Sequence, residues 1–208
     1  MNAVAVTGWL SASYLLGAIP TSYIVGKLFR GIDLRAVGSR NLGATNLYRT
    51  MGWKYAVPVG LFDVAKGAVP VAVFGPQVAQ VALFPVYCGI AAVLGHVFSV
   101  FVGFRGGKGV ATAAGVVLGL APYALLAVAV IWAMVVWLTG YVSLGSVIAA
   151  SLFPVAAALL HPERPEPLWF DILLAAFLVF KHRSNIQRLM RGTENRFGSR
   201  GRPAQTAP

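Results

Sequence analysis

Long apolar runs with almost no charge alternate with three basic, glycine-containing blocks, and this alternation restricts the folds open to the chain. The sequence has 208 residues, of which 58% are hydrophobic and 11% are charged. Soluble domains carry about 25% charged residues, so this chain lacks the polar surface that a soluble fold needs. Several runs reach the roughly 20 residues that a helix needs to cross a bilayer. The sequence therefore predicts an all-α, polytopic integral membrane protein.

The apolar segments suggest how often the chain crosses the membrane. They cover about residues 4–29, 55–74, 81–102, 110–138, 142–160 and 168–180. The fourth segment is too long for one upright helix, and Pro122 starts a helix better than it continues one. We therefore expect this segment to cross twice, with a turn near Ala121 and Pro122 and a short first crossing.

The distribution of basic residues orients these crossings. Fifteen of the 17 Lys and Arg residues fall in or beside three loops, and such loops face the cytoplasm. The three loops lie on the same side of the membrane only if the chain crosses it seven times. Seven transmembrane helices put the N-terminus outside and the C-terminus in the cytoplasm. The turn around Ser143 then faces the cytoplasm as well. We expect one membrane domain over residues 1–199 and a disordered tail over residues 200–208, which are rich in Gly, Pro and Arg.

The net charge of +11 bears on the partners of the chain. In a soluble protein it would suggest nucleic acid. Here the charge lies beside the membrane spans, so topology and anionic headgroups or substrates explain it better, and no nucleic-acid partner is expected. No Cys, His or carboxylate cluster has the spacing of a metal site, so no metal or cofactor is expected.

Block one, residues 38–54, is rich in Gly, Ser, Asn and Thr, which favour tightly turned backbone with exposed N–H groups. Thr45 or Asn46 could cap the helix that enters the second span. A helix N-terminus attracts anions, and Arg49 adds a planar cation suited to phosphate. A polar loop with charges that only set topology is the alternative.

Block two, residues 103–112, places four glycines around Lys108 immediately before a predicted helix. Such a loop can cradle a phosphate group. It is not a mononucleotide-binding loop of the Walker type, because Val102 holds the position of the first glycine and Gly109 that of the Ser or Thr. A flexible turn with two topogenic charges is again the alternative.

Block three, residues 181–202, contains apolar residues at helical spacing. It predicts a short amphipathic helix at the membrane surface, on which Asn185 and Arg188 share a face. The alternative is that this helix only binds lipid headgroups and has no catalytic role. His182, at the end of a span, could be a base or could make a structural hydrogen bond.

Two further features lie within the spans. Asp63 and Lys66 are three residues apart and are expected to pair, and intramembrane charges are often functional. The sequence favours neither a structural nor a functional role for His96. Gly115 and Gly119 match a helix-packing face of small residues.

Taken together, the blocks resemble the three motifs of the PlsY family of bacterial acyl-phosphate-dependent glycerol-3-phosphate acyltransferases. The resemblance covers essentially the whole chain in order and spacing. Arg40 stands where the family usually has glycine, which leaves the local turn geometry open. The matching residues are Gly38, Ser39, Asn41, Gly43, Ala44, Thr45, Asn46 and Arg49, then His96, Gly106–Gly109 and Thr112, then His182, Arg183, Asn185, Ile186, Arg188, Leu189, Gly192 and Glu194.

The resemblance implies a seven-helix enzyme of the bacterial inner membrane with a cytoplasmic active site. It would transfer an acyl chain from acyl phosphate to the sn-1 hydroxyl of glycerol 3-phosphate, giving lysophosphatidic acid and inorganic phosphate. We expect a monomer without cofactor, in contact with membrane lipid. The expected catalytic residues are Ser39, Arg49, Lys108, His182 and Asn185. The expected substrate-binding residues are Asn41, Thr45, Asn46, Arg105, Gly106, Gly107, Gly109, Ser143, Arg183 and Arg188.

The mechanistic hypothesis is positioning plus charge stabilisation. The glycines of block two would donate N–H groups to glycerol 3-phosphate. Either His182 or a substrate phosphate oxygen would take the proton of the attacking hydroxyl. Substrate assistance is favoured, because no carboxylate is evident to orient the histidine, and it predicts a pH profile without a step near ~6.5. A transporter for an organophosphate or anionic lipid is the main alternative, and a non-catalytic scaffold is the other.

Overall fold

The computed structural model describes residues 3–164 and 167–197, and all regular structure within these ranges is helical. The ten α-helices are α1 (Ala3–Ala18), α2 (Thr21–Arg30), α3 (Ala44–Met51), α4 (Trp53–Val69), α5 (Phe84–Val97), α6 (Val110–Leu120), α7 (Pro122–Thr139), α8 (Val142–Leu160), α9 (Leu168–Lys181) and α10 (Arg183–Met190). A π-helical turn (Pro70–Phe74) and a 3-10 turn (Gly75–Val78) extend α4, and a second 3-10 turn (Val100–Val102) follows α5. The predicted tail, residues 200–208, lies outside the described residues.

Several helices match the dimensions of a bilayer. Among the described residues, four helical segments are long and apolar enough to cross it, and the bent pair α1 and α2 would make a fifth. The four are Trp53–Val78, Phe84–Val102, Pro122–Thr139 and Val142–Leu160. The predicted all-α membrane protein is therefore confirmed, and the predicted break at Ala121 and Pro122 separates α6 from α7.

The outer face of α7 explains why the chain requires lipid. Tyr123, Leu126, Val130, Met134 and Trp137 recur every three or four residues and are all more than half exposed. An apolar stripe of this length would be an aggregation surface in water, whereas acyl chains solvate it without cost. The helix buries only its other side, through Ala124 and Val128.

Two glycines bring α4 and α6 into close contact. A methyl group at Gly115 of α6 would lie 1.9 Å from the carbonyl oxygen of Val64 in α4, and one at Gly67 would lie 2.0 Å from that of Thr112. Such distances exclude any side chain, so the backbones of α4 and α6 touch directly, as small-residue faces allow in membranes. The predicted packing role of Gly115 is confirmed.

The first apolar segment differs from the prediction of one continuous span. The helix stops at Ala18 and restarts at Thr21, with a bend of 40°. Pro20 lacks an N–H group and its ring clashes with the preceding turn, which ends a helix. The carbonyl oxygen of Ile19 freed by this break accepts a hydrogen bond of 2.9 Å from Lys66 Nζ. A buried lysine on α4 thus satisfies the broken backbone.

Candidate active site

The three basic blocks meet at one open cleft of about 280 Å³. The cleft lies at the end of the bundle where α9 ends and α6 begins. Its lining comprises residues 39–41 of block one, 106–108 of block two, and 181, 183–185 and 188 of block three. Five of these are Lys or Arg and none is acidic. The predicted convergence of the blocks is confirmed, and its product is a pocket that attracts anions.

The predicted site residues divide by their distance from this cleft. Eight form part of its wall, and Ser143 reaches it through a shared hydrogen-bond partner. The eight are Ser39, Asn41, Gly106, Gly107, Lys108, Arg183, Asn185 and Arg188. The remaining six, which do not line it, are Thr45, Asn46, Arg49, Arg105, Gly109 and His182.

Lys108 is the innermost cation of the cleft wall. Its ammonium group donates a hydrogen bond to Asn185 Oδ1, which joins block two to block three. Burial lowers the pKa of Lys108 to about 8, although the nearby carboxylate of Glu194 acts in the opposite direction. The ammonium form therefore predominates at pH 7 but is held less firmly than in an exposed lysine.

Glu194 organises the polar groups behind Lys108. Its carboxylate accepts hydrogen bonds from Asn185 Nδ2 at 2.7 Å and Ser143 Oγ at 2.9 Å on one oxygen, and from Arg188 Nε at 2.7 Å on the other. The residue is buried. Because Asn185 gives its Nδ2 to Glu194, its Oδ1 must face Lys108. The carboxylate therefore orients the amide that positions the lysine.

No role was predicted for Glu194, although the sequence contains a cue. It is the single acidic residue of block three, where seven basic residues surround it. A lone carboxylate in such a block is expected to pair with its neighbours. Sequence alone does not reveal that its partners include Ser143, which is 51 residues away.

Arg49 projects from α3 towards the chain segment that follows α10. One terminal nitrogen donates to the carbonyl oxygen of Asn195 at 3.1 Å, while Nε is buried and has no hydrogen-bond partner among the described residues. Burial lowers the pKa of Arg49, and Glu194 opposes that effect. A buried, unpaired guanidinium N–H is a donor that an anion could satisfy.

Asn46 holds the loop of block one in shape. Its Nδ2 donates to the carbonyl oxygens of Leu34 and Val37, both at 3.1 Å, and its Oδ1 accepts from the Ser39 N–H at 2.8 Å. The capping prediction for Thr45 or Asn46 was wrong, because α3 is a separate short helix whose N-cap is Gly43. Asn46 instead fixes the turn that presents Ser39 to the cleft.

The N–H groups of Gly106 and Gly107 are already engaged within the protein. The N–H groups of Gly106 and Gly107 donate to the carbonyl oxygens of Val97 and His96, both at 3.1 Å. The expectation that they bind substrate as donors therefore does not fit the geometry. A methyl group at Gly107 would lie 2.4 Å from the Leu42 carbonyl oxygen. Glycine is needed here because the loop packs flat against the backbone beneath it, which sets the position of Lys108.

His182 lies at the junction of α9 and α10 and is buried behind the cleft wall. Its Nδ1 lies 2.8 Å from the carbonyl oxygen of Leu178. A carbonyl only accepts, so this contact requires a proton on Nδ1 and leaves Nε2 as the acceptor. Burial and then the charge of Lys108 lower the pKa of His182 to about 4. The imidazole is thus neutral at pH 7.

Arg40, the departure from the resemblance, adopts a left-handed backbone with φ of 56°. Its N–H donates to the carbonyl oxygen of Val37 at 3.0 Å, which closes the turn. Glycine takes this conformation freely, whereas a residue with a Cβ is strained in it. The position that the sequence left open is therefore a left-handed turn that suits glycine, and an arginine occupies it here.

Beneath the glycine loop lies a buried charged cluster. Lys66 Nζ is 2.8 Å from Asp63 Oδ1, and both side chains are almost completely buried, so the predicted pair is confirmed. His96 Nδ1 lies 3.9 Å from the same carboxylate oxygen. The His96 ring supports block two from below, since its Nε2 would lie 2.2 Å from a methyl group at Gly107.

Comparisons with known proteins agree with one another. The family model for glycerol-3-phosphate acyltransferase matches residues 7–192. The glycerol-3-phosphate acyltransferase of Trichlorobacter lovleyi is 46% identical, with 91% of this chain and 96% of the relative covered. The glycerol-3-phosphate acyltransferase of Chlorobaculum parvum is 42% identical, with 92% of this chain and 97% of the relative covered.

Solved structures give the same result. The crystal structure of PlsY (YgiH), an integral membrane glycerol 3-phosphate acyltransferase, superposes in its glycerol 3-phosphate form with a TM-score of 0.86 at 38% identity, covering 93% of this chain and 96% of that one. Its lysophosphatidic acid form gives a TM-score of 0.84 at 36% identity, covering 94% of this chain and 97% of that one. The chain, with its cationic cleft at one end of an apolar helical bundle, belongs to the glycerol-3-phosphate acyltransferase family.

Proposed function

We propose that this acyltransferase takes its acyl group from a fatty acyl phosphate and delivers it to the sn-1 hydroxyl of glycerol 3-phosphate. The products are lysophosphatidic acid and inorganic phosphate, in the first step of phospholipid synthesis. The observation that supports this is the cleft, whose wall carries five cations and no acid beside membrane-spanning helices. Such a wall suits two phosphate-bearing substrates, one of which has a lipid tail.

The proposed topology has seven crossings, made by α1 with α2, by α4 with its extension, and by each of α5 to α9. The N-terminus lies outside and the C-terminus in the cytoplasm. The basic loops support this orientation, because they all lie at the end that holds the cleft. The 11 residues of α6 span only about 17 Å. The cleft thus dips below the membrane surface on the cytoplasmic face of the bacterial inner membrane.

Within the cleft, Lys108 and Asn185 form the principal phosphate-binding pair, and Ser39 contributes from block one. Arg49 adds from behind the wall its buried Nε–H, which has no hydrogen-bond partner in the part of the chain that the structure describes. One chain supplies all of these groups, so a monomer suffices for catalysis. Without a metal or cofactor, positioning and charge stabilisation carry the reaction.

The chemical step needs only one proton transfer. The sn-1 oxygen attacks the acyl carbonyl carbon, its proton passes to a phosphate oxygen of a substrate, and the resulting oxyanion collapses as the carbon–oxygen bond to phosphate breaks. Phosphate leaves without a strong acid. Substrate assistance is favoured because His182 lies outside the cleft lining, and because burial and the charge of Lys108 lower its pKa to about 4, which makes its free Nε2 a weak base.

Purified protein supplied with acyl phosphate and glycerol 3-phosphate tests the proposal. We expect phosphate release that depends on both substrates, with stoichiometric formation of lysophosphatidic acid. Turnover with an acyl thioester in place of acyl phosphate would overturn the proposed donor. Flux of glycerol 3-phosphate into liposomes without product formation would instead support a carrier.

The pKa of Lys108 predicts how activity depends on pH. Anion binding needs the ammonium form, so kcat/KM for glycerol 3-phosphate should fall as pH rises through about 8, by up to about tenfold per pH unit. Below neutrality the opposite trend is expected, because the phosphate monoester loses its second charge near pH ~6. The result is a maximum between these limits, measured by phosphate release after subtraction of spontaneous hydrolysis.

Lys108→Arg is the matched variant for this pH dependence. Arginine stays charged across the accessible pH range. The fall of kcat/KM at alkaline pH should therefore disappear in this variant, even if its absolute activity is lower. An unchanged alkaline limb in Lys108→Arg would assign the titration to another group.

Variants of His182 separate the two candidates for the base. With substrate assistance, His182→Ala should lose less than about 10²-fold in kcat, because it removes only the hydrogen bond that holds the α9–α10 junction. His182→Asn should recover part of that loss, since its amide can donate to the Leu178 carbonyl oxygen. A general base contributes typically ~10²–10⁴-fold, and neither variant could replace it.

These variants are compared by kcat at saturating substrate, with binding of glycerol 3-phosphate measured separately by calorimetry. Equal and near-total loss in both variants, with intact binding, would make the histidine the base. The absence of a step near ~6.5 does not discriminate, because a pKa of about 4 removes that step in either mechanism.

A further inference from the structure

The backbone of block one carries a strained residue at the cleft. Among the described residues, two that are not glycine have positive φ, namely Arg40 and Phe104. Arg40 also lines the cleft, and its side chain is exposed. A glycine would satisfy this turn without strain, so the backbone gives no reason for an arginine. Residues in such a conformation cluster at functional sites, which makes Arg40, at the cleft, the one of the two to consider.

The other cations of the cleft are already engaged with groups of the protein. Two make hydrogen bonds to polar side chains, and two lie over aromatic rings. The partners are Asn185 for Lys108, Glu194 for Arg188, and the rings of Phe98 and Phe180 for Lys181 and Arg183. The Arg40 guanidinium makes no comparable contact with the described residues, so its five N–H donors are available to a ligand.

The reaction brings two phosphate groups into one cleft. Each carries about −1.5 to −2 charge near neutral pH, and both must lie close together while the acyl group moves. Lys108 is one partially buried cation in the wall, with a pKa of about 8. A second cation that keeps its charge at every relevant pH, and that binds phosphate with two parallel hydrogen bonds, would offset the mutual repulsion of the two anions.

We propose that Arg40 is a substrate-binding residue that holds a phosphate group at the mouth of the cleft, opposite the phosphate held by Lys108. The choice of acyl phosphate as one of the two anions rests on the proposed function. The family usually has glycine at this position, so Arg40 adds one cation to the four others of the cleft wall, and this gain in phosphate binding offsets the strain of the turn.

Three variants at this position separate the charge from the turn. Arg40→Gly removes both the strain and the charge, Arg40→Asn removes the charge while tolerating left-handed backbone, and Arg40→Lys keeps both. We expect the KM of at least one phosphate substrate to rise about three- to tenfold in the Gly and Asn variants, and to stay nearer wild type in the Lys variant. The difference should shrink at high salt, which screens exposed charges.

Thermal melting in detergent excludes a folding effect. Arg40→Gly should melt at the wild-type temperature or above it, because the strain is relieved, so weaker binding and unchanged or higher stability would occur together. A purely structural arginine would give the opposite combination. Arg191→Asn is the matched control, since Arg191 is an exposed cation of block three outside the cleft lining, and its KM values should match those of wild type.

The outcomes distinguish this inference from the proposed donor. If wild-type protein releases phosphate from acyl phosphate but both KM values are unchanged in Arg40→Gly and Arg40→Asn, the inference fails alone. If wild-type protein does not use acyl phosphate, the donor proposal fails. Arg40 is then judged by calorimetric binding of glycerol 3-phosphate and inorganic phosphate, where unchanged affinity for both ligands overturns the inference and weaker binding of either supports it.

Discussion

Replacing Lys108 with methionine is expected to lower kcat/KM for glycerol 3-phosphate by about 10²–10³-fold, the loss that follows removal of one well-aimed donor from an active site. Methionine keeps most of the apolar stem and removes the cation that faces the cleft. The expected loss is large because the group is mostly buried, so water and salt screen its charge only weakly. The fold should survive, since the variant loses one hydrogen bond to the described residues, the one to Asn185.

Steady-state kinetics with saturating acyl phosphate measures this effect, with kcat and KM determined separately and folding checked by thermal melting in detergent. Lys181→Met is the matched control, because Lys181 lines the same cleft but lies 5.3 Å from the centre of the Phe98 ring. The half-buried Lys181 ammonium makes this ring contact, and charges near the surface contribute at most about 1 kcal/mol, so the loss in Lys181→Met should stay within about fivefold. Wild-type kinetics in Lys108→Met would remove the lysine from the site.

The convergence of the three blocks could be predicted because it depends on charge and hydropathy along the chain. Lys and Arg mark the loops on one side of the membrane, and Pro122 marks a break inside an otherwise continuous apolar run. Because seven crossings place all three basic loops on the same side of the membrane, the blocks were expected to meet at one end of the bundle. The pairing of Asp63 with Lys66 could be predicted for a similar reason, since an unpaired charge is not tolerated within a span.

The roles of individual polar groups depended on partners that sequence does not identify. Free N–H groups in the glycine loop were a reasonable expectation, but Gly106 and Gly107 donate to the end of α5. Asn46 was expected to cap a helix and instead holds three backbone groups of the preceding loop. Glu194 was matched to the third motif without a predicted role, because that role comes from Ser143 and Asn185, which only the folded chain brings to it.

The break between α1 and α2 also escaped prediction, although Pro20 is visible in the sequence. A proline inside an apolar run is often tolerated in membrane helices when neighbouring groups satisfy the freed backbone. Here Lys66 does so from α4, through the Ile19 carbonyl oxygen. The same lysine pairs with Asp63, whose carboxylate faces His96 beneath the glycine loop. One buried cation therefore supports both the helix break and the floor of the cleft.

Lys66→Met is accordingly expected to lower stability by about 3–5 kcal/mol, because it leaves Asp63 as an uncompensated buried charge. Methionine has a similar volume, so a packing defect contributes little. In a protein of this size each kcal/mol corresponds to about 2–4 °C, which makes the loss readily visible by melting in detergent. Activity should fall with the folded fraction and with the disturbed support of Gly107.

The double variant Asp63→Asn/Lys66→Met identifies the source of the loss. If the isolated carboxylate is the cause, neutralising it should restore most of the stability, since removing both charges of a buried pair is far less damaging than removing one. The two single variants and the double variant complete a thermodynamic cycle that measures the coupling. If the double variant is as unstable as Lys66→Met, the bond to the Ile19 carbonyl oxygen is the main contribution. Wild-type stability in Lys66→Met would mean that the pair adds nothing.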